Sequence, residues 1–276
     1  MTWSLKTRTL SVERMLVMGV VNATPDSFSD GGAFLDPSGA IAHGRRLVNE
    51  GADIIDIGGE SSRPGAEPVG LEEELARTIP VVERLAADGA VVSIDTTKSE
   101  VARVAIAAGA EIVNDITALS DPAMVSLCRR EQPGVVLMHM RGTPRTMQAD
   151  PRYDDVVEDV ALFLAERAAS VVEAGIDPSR ICLDPGIGFG KTVDHNLALL
   201  AATARFVDLG YPVLVGASRK RFLGEILGRE LPEERDAGTA GVAAVVATLG
   251  AAVFRAHNVP AVRDAALIAT AIVRHG

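Results

Sequence analysis

Val91-Val92-Ser93-Ile94-Asp95-Thr96-Thr97-Lys98-Ser99-Glu100-Val101-Ala102-Arg103-Val104-Ala105-Ile106-Ala107-Ala108-Gly109-Ala110-Glu111-Ile112-Val113-Asn114-Asp115 decides the fold. Two short β-branched runs, 91–94 and 111–113, flank a longer helical pattern, and polar residues follow each run at once: Asp95, then Asn114-Asp115. A strand, a helix and a second strand in that order make the two strands parallel neighbours. The same alternation fills the chain, with further runs at 16–21, 53–57, 135–138, 181–183, 213–215 and 251–254. Most are apolar on consecutive positions, as strands buried on both faces should be. Eight βα units in succession, with no low-complexity linker between them, predict a (β/α)8 TIM barrel over 1–276 as a single domain.

Helix signals fit that reading. Asp36-Pro37 opens the first helix and Gly51 closes it, while Asp154-Asp155 and Gly175 bracket the long fifth. Val157, Val160, Ala161, Leu164, Ala168, Val171 and Val172 recur at helical spacing and give that helix one apolar stripe for the barrel. Pro80 falls inside the second helical pattern and should kink it.

The composition is 47% hydrophobic and 23% charged, enough for a large core, and with only 4% aromatic residues that core rests on Ala, Val, Leu and Ile. A net charge of −10 argues against nucleic acid or an anionic membrane as partner, because either needs a basic face. Cys128 and Cys182 sit in no metal or redox spacing, and the start of the chain has no apolar signal-peptide core, so the expected setting is the cytoplasm. Residues 237–254 are uncharged and long enough to span a bilayer, but they are Ala-rich and broken by Gly238, Gly241 and Gly250. Gly250 reads as a helix stop before the last strand. Residues 265–273 carry no charge on any face. A dimer interface and a terminal helix tucked against its neighbours both account for them; a homodimer is the expectation adopted.

In a barrel the active face is built where strands end. Those positions hold Asn22, Gly58-Gly59-Glu60, Asp95, Asn114-Asp115, His139, Asp184, Ser218-Arg219-Lys220, and Arg255 with His257. Taken alone, Asp115 or Glu60 reads as a turn former. Eight strands delivering polar groups to one mouth read as a site. Loops 22–36 and 58–70 exceed the usual connection of about 2–6 residues and are expected to be mobile lids, with Phe28 and Arg63 closing over a ring and an anion. Arg219-Lys220-Arg221 stands where a strand turns into a helix, a disfavoured place for cations, so a bound anion shared by the three side chains is expected. Gly186-Ile187-Gly188-Phe189-Gly190-Lys191-Thr192 completes neither a P-loop, which needs Gly at Pro185, nor a dinucleotide fingerprint, which needs Gly at Lys191. It reads as a loop passing close to a ligand.

Met18-Gly19-Val20-Val21-Asn22-Ala23-Thr24-Pro25-Asp26-Ser27-Phe28-Ser29-Asp30-Gly31-Gly32, Gly58-Gly59-Glu60-Ser61-Ser62-Arg63-Pro64-Gly65, Ser93-Ile94-Asp95-Thr96, Asn114-Asp115-Ile116, Asp184-Pro185-Gly186, Gly216-Ala217-Ser218-Arg219-Lys220 and Arg255-Ala256-His257 together closely resemble the dihydropteroate synthases, pterin-binding barrels of folate biosynthesis that sulfonamides inhibit. The resemblance implies that 7,8-dihydropterin-6-ylmethyl diphosphate and 4-aminobenzoate condense to 7,8-dihydropteroate, releasing diphosphate with Mg²⁺ present. It implies Asp95, Asn114, Asp184 and Lys220 around the pterin. Asn22, Ser62, Arg63, Arg255 and His257 would face the diphosphate, Asn22 also holding Mg²⁺. Phe28, Pro64, Phe189, Ser218, Arg219, Lys220 and Arg221 would surround the aminobenzoate.

The chemistry of these residue types agrees. Carboxylates and amides suit the N–H donors of a pterin edge, and cations suit a diphosphate. If diphosphate leaves first, Asp30 and Asp95 are placed to stabilise the positive pterin methylene, and with Lys220 they are the catalytic candidates. An aryl amine is already neutral, so no strong general base is required. Ser62, Ile187, Arg221 and Asn258 depart from the family's commonest residues (Thr, Phe, Ser and Asp); Asn258 removes a negative charge near His257. The alternatives are a methyltetrahydrofolate methyltransferase-type barrel, which has no use for a diphosphate site, and a non-catalytic pterin-binding paralogue, which should have lost lid or anion residues.

Overall fold

Each of the eight apolar runs forms a strand in the computed structural model, which describes residues 1–23, 37–61 and 65–275. An antiparallel hairpin, β1 (Thr2–Ser4) and β2 (Thr9–Ser11), precedes them. The series then runs β3 (Leu16–Asn22), α1 (Ser38–Asn49), β4 (Ile54–Gly58), α2 (Leu71–Ala87), β5 (Val92–Asp95), α3 (Ser99–Ala107), β6 (Ile112–Asp115), α4 (Pro122–Glu131) and β7 (Gly134–Met138). It continues through α5 (Val156–Glu173), β8 (Ile181–Asp184), α6 (Val193–Ala201), α7 (Thr203–Val207), β9 (Leu214–Val215), α8 (Arg221–Leu227), α9 (Asp236–Thr248), β10 (Val253–Ala256) and α10 (Val259–Val273). The parallel sheet has the order β8-β7-β6-β5-β4-β3-β10-β9, and a parallel bridge from Leu183 to Val213 joins its two edges into a barrel.

Six strands run past the ends expected from hydrophobicity: β3, β4, β5, β6, β8 and β10 close on Asn22, Gly58, Asp95, Asp115, Asp184 and Ala256. The cause is that ladder pairing depends on backbone, and pairs such as Asn22 with Gly58 and Asp95 with Asn114 keep their register beneath polar side chains. The functional candidates there are therefore mostly last strand residues rather than loop residues.

Alternation along the strands then sorts the interior. Leu16, Met18, Ile54, Ile112, Val136, Cys182, Leu214 and Val253 face one another inside the lower barrel, while their neighbours Val17, Ile55, Val113, Val135, Leu183 and Phe254 face the helices. Two residues further along, the same inward parity brings Asp56 above Ile54, Asn114 above Ile112, Asp184 above Cys182 and Arg255 above Val253. An apolar floor beneath a polar layer is thus a consequence of period two. Trp3 and Leu5 from the N-terminal hairpin seal that floor from below, Trp3 fully buried with its Nε1 donating to the Arg180 carbonyl at 2.8 Å. Sequence reading missed this plug because three-residue strands show no usable periodicity.

The helix signals act as expected at α5, where the Asp155 carboxylate accepts from the N–H groups of Val157 and Glu158 and Gly175 follows the last turn at φ 99°. Helix α2 runs from Leu71 to Ala87 with Pro80 inside it. Residues 237–254 split between α9 and β10, and no helix among the described residues is long and apolar enough to cross a membrane. Helix α10 buries Val259, Val262 and Ala266 but leaves Leu267, Ile268, Ile272 and Val273 exposed.

Candidate active site

The polar layer is held by Arg255. Its Nε donates to Asp56 Oδ2 at 2.6 Å and its Nη2 to Asp95 Oδ2 at 2.9 Å, while Asn114 Nδ2 donates to the same Asp56 oxygen at 3.1 Å. Asp56 is fully buried, and its second oxygen and the Ser93 hydroxyl beside it in the register have no partner among the described residues. Asp56 was not foreseen as a site residue. The available signal was a charge inside the apolar run Ile54-Ile55-Asp56-Ile57, on the inward parity.

Across the mouth, Asp184 closes β8 and accepts from the Gly186 N–H at 2.7 Å. Lys220 lies over the Phe189 ring, 4.4 Å from its centroid, and donates to the Ile187 carbonyl. Ser218 and His257 meet side by side, Ser218 Oγ lying 2.9 Å from His257 Nδ1 and accepting from the His257 N–H at 3.1 Å. Asn22 ends β3 at the same mouth, half-buried. The structure thus brings together Asn22, Asp95, Asn114, Asp184, Phe189, Ser218, Lys220, Arg255 and His257. Phe28, Asp30, Ser62, Arg63 and Pro64, with most of the first long loop, lie outside the described residues.

Arg219 and Arg221 correct the expectation of a shared cationic grip. Arg219 adopts a left-handed backbone, φ 58°, and its guanidinium binds Asp236 through Nε and Nη2, at 2.7 and 2.8 Å. Arg221 is 89% exposed and pairs with Glu225 one helical turn on. Their charges are offset within the protein, so Lys220 is the member of the trio that faces the mouth. The charge lost at Asn258 is likewise replaced nearby, since Asn258 caps α10 and its amide donates to Asp236 at 2.9 Å. Asp115 is the turn former its local sequence suggests, accepting from Thr117 and Leu119. Glu60 is paired with Lys98, which also binds the buried Glu74.

Enclosure sets the electrostatics. Burial pushes Asp95 up to about 7, against Arg255 and with help from the Asp56 carboxylate. Burial pushes Lys220 down to about 8, with Asp184 opposing, and raises Asp184 against Lys220 and the Gly186 N–H. Asp95 in the folded chain therefore keeps, between its ordinary 3.8 and about 7, a proton that the unfolded chain has released, and its contribution to stability is lost as pH rises through that window. Asp95→Asn abolishes this titration. The melting midpoint of that variant should gain on wild type from about pH 4 to about pH 7 and then level off. Parallel curves would show that Asp95 is not held protonated.

A layer that interleaves carboxylates and an amide with two cations, and carries a ring at the rim, suits a flat heterocycle rich in N–H donors that bears an anionic group. The comparisons with known proteins point the same way. Residues 18–257 match the family model described as pterin binding enzyme. The dihydropteroate synthase of Mycobacterium leprae is 46% identical over 275 residues, covering 97% of this chain and 96% of that one. The dihydropteroate synthase of Xanthomonas albilineans solved with 4-aminobenzoic acid superposes with a TM-score of 0.93 at 49% identity, covering 99% of this chain and 98% of that one. The same organism's enzyme solved with 7,8-dihydropteroate gives a TM-score of 0.90 at 46% identity, with 99% of each chain covered. Since the matched residues run from Met18 to His257 and so reach all eight strands of the barrel and include its whole polar layer, this chain belongs to the pterin-binding enzyme family.

Proposed function

We propose that the protein is a dihydropteroate synthase, joining 7,8-dihydropterin-6-ylmethyl diphosphate to 4-aminobenzoate. The observation that carries this is the inner layer itself: Asp184, Asn114 and Asp95 face Lys220 and Arg255 above an apolar floor. Relatives of the same fold and nearly the same length bind 4-aminobenzoic acid and 7,8-dihydropteroate.

Asp184 and Asn114 take the pterin's amino and ring N–H donors, and Lys220 donates to a ring acceptor. His257, Arg255 and, from the second long loop, Ser62 and Arg63 receive the diphosphate. The C–O bond at the pterin methylene breaks first, its electron pair leaving with diphosphate, and Asp95, ionised as pH rises through about 7, stabilises the cation with Asp30 from the first loop. The aminobenzoate nitrogen then attacks and releases one proton. No described side chain is required as a base. The aminobenzoate rests between Phe189, Ser218 and Lys220, and the family resemblance assigns Phe28 and Pro64 to the same ring.

A single hard oxygen donor such as the Asn22 amide suits Mg²⁺, which is commonly held by few protein groups together with substrate phosphates and water. The Asn22 amide oxygen would be its protein ligand, and the ion would neutralise charge on the departing diphosphate. We also read the protein as a cytoplasmic homodimer. Both cysteines are free and buried, and the α10 face, with Ile268 63% and Ile272 68% exposed, is the surface a second copy would cover.

Purified protein given Mg²⁺ and both substrates should release diphosphate and form dihydropteroate, with a sulfonamide competing against aminobenzoate. Release no greater than in a buffer control would remove the synthase reading.

A further inference from the structure

Lys191 is an anomaly that the mechanism does not use. It is 4% exposed, and its ammonium donates to His139 Nδ1 at 3.0 Å and to the Phe189 carbonyl at 3.0 Å, with the His139 carbonyl at 3.5 Å. All three acceptors are uncharged, because burial and the facing Lys191 push His139 down to about 3. A buried ammonium without a bonded carboxylate is costly, so a chain that keeps one gains something from it elsewhere. Burial pushes Lys191 itself down to about 7, and the opposing attraction is to Asp184.

The path between the two is short. A side-chain carbon placed on Gly186 would lie 3.4 Å from Lys191 Nζ, and the Gly186 N–H is the donor that grips Asp184. Through Phe189 the same ammonium fixes the residue whose ring lies under Lys220. The other groups acting on Asp184 are Lys220 at the start of α8 and Arg255 from β10, both of which belong to the polar layer.

We propose that Lys191 is a positioning residue for pterin recognition: it ties the 186–190 turn to the end of β7 and sets an enclosed positive charge behind the Asp184 carboxylate. This rests on the synthase reading, and the test separates the two.

Titration calorimetry with the dihydropterin diphosphate and Mg²⁺, over a pH series, compares wild type with Lys191→Met and Lys191→Gln. Methionine has similar length and no charge; it relieves the cost of enclosing an ammonium but leaves His139 Nδ1 and the Phe189 carbonyl without this donor, so binding is compared at temperatures where the variant is folded. At about pH 6, where Lys191 keeps its proton, its affinity should fall about tenfold, equivalent to about 1.4 kcal/mol. Its acid limb should also move to higher pH, since Asp184 loses a charge that favours its anion. Glutamine keeps a hydrogen-bonded tie without charge, so it should show the same pH shift with a smaller loss, and it carries the test if the methionine variant does not fold. Variants that bind as wild type at every pH overturn the proposal, as do variants that bind weakly with an unshifted profile, which would mark a purely structural lysine. Wild type failing to bind the pterin diphosphate would instead remove the synthase reading.

Discussion

Gly186→Ala should give a protein destabilised by at least about 2–3 kcal/mol and at least about 100-fold poorer in kcat/KM for the pterin substrate. Two costs coincide at this position. The backbone sits at φ 68°, where an alanine costs about 1–2 kcal/mol. The added carbon would also stand 1.8 Å from the His139 carbonyl oxygen and 3.0 Å from its carbon, and backbone cannot swing aside as a side chain can. The turn must therefore move, and with it the N–H that holds Asp184 at 2.7 Å. Gly210→Ala is the control: φ is 87°, yet nothing lies within 4 Å of the added carbon, so the cost should be the backbone term of about 1–2 kcal/mol, with kcat/KM unchanged. Denaturant unfolding and initial rates on both variants decide it. Equal losses in the two would mean that the close packing of Gly186 on His139 has no special role.

The contrast between these glycines shows what was legible beforehand. Eight strands, their parallel order and the polar mouth follow from apolar runs alternating with helical patterns, because strands buried on both faces leave a strong local signal. Asp184 and Asn114 were visible as polar residues at run ends. Asp56 was not, since a single charge inside an apolar run becomes informative only when the inward parity of β4 is fixed by its neighbours. Lys191 entered the sequence reading only as the residue that breaks a dinucleotide motif, and its enclosure depends on three glycine turns at 186, 188 and 190 that a sequence does not specify. Arg219, Lys220 and Arg221 are adjacent in sequence yet point three ways, and the left-handed Arg219 that separates them carries no glycine to announce it. The sequence thus marks periodic elements well, while side-chain direction in the irregular turns is settled by tertiary contacts.

Arg255→Met should be the most destabilising change in the polar layer, by about 3–5 kcal/mol at neutral pH, because it strands two carboxylates rather than one. Arg255 bonds both Asp56 and Asp95, and Asp56 already has an oxygen with no partner among the described residues. Without the guanidinium, burial and mutual repulsion would drive Asp95 above its present value of about 7, so part of the loss should be recovered by acidification. Activity should fall by about 100- to 1000-fold and stay low at every pH, because the same cation is needed where negative charge develops on the leaving diphosphate. Asp56→Asn placed on Arg255→Met separates these roles. Removing one stranded charge should return some of the stability, as expected of residues that share a contact. It should return none of the activity, because the diphosphate would still meet no cation at that position. Stability curves for the two single variants and the double variant, set beside diphosphate release, test this directly. If the double variant regained activity in step with stability, Arg255 would be acting through the fold alone. If Arg255→Met unfolded like wild type at neutral pH, the pairing with Asp56 and Asp95 would not be what holds the mouth of the barrel together.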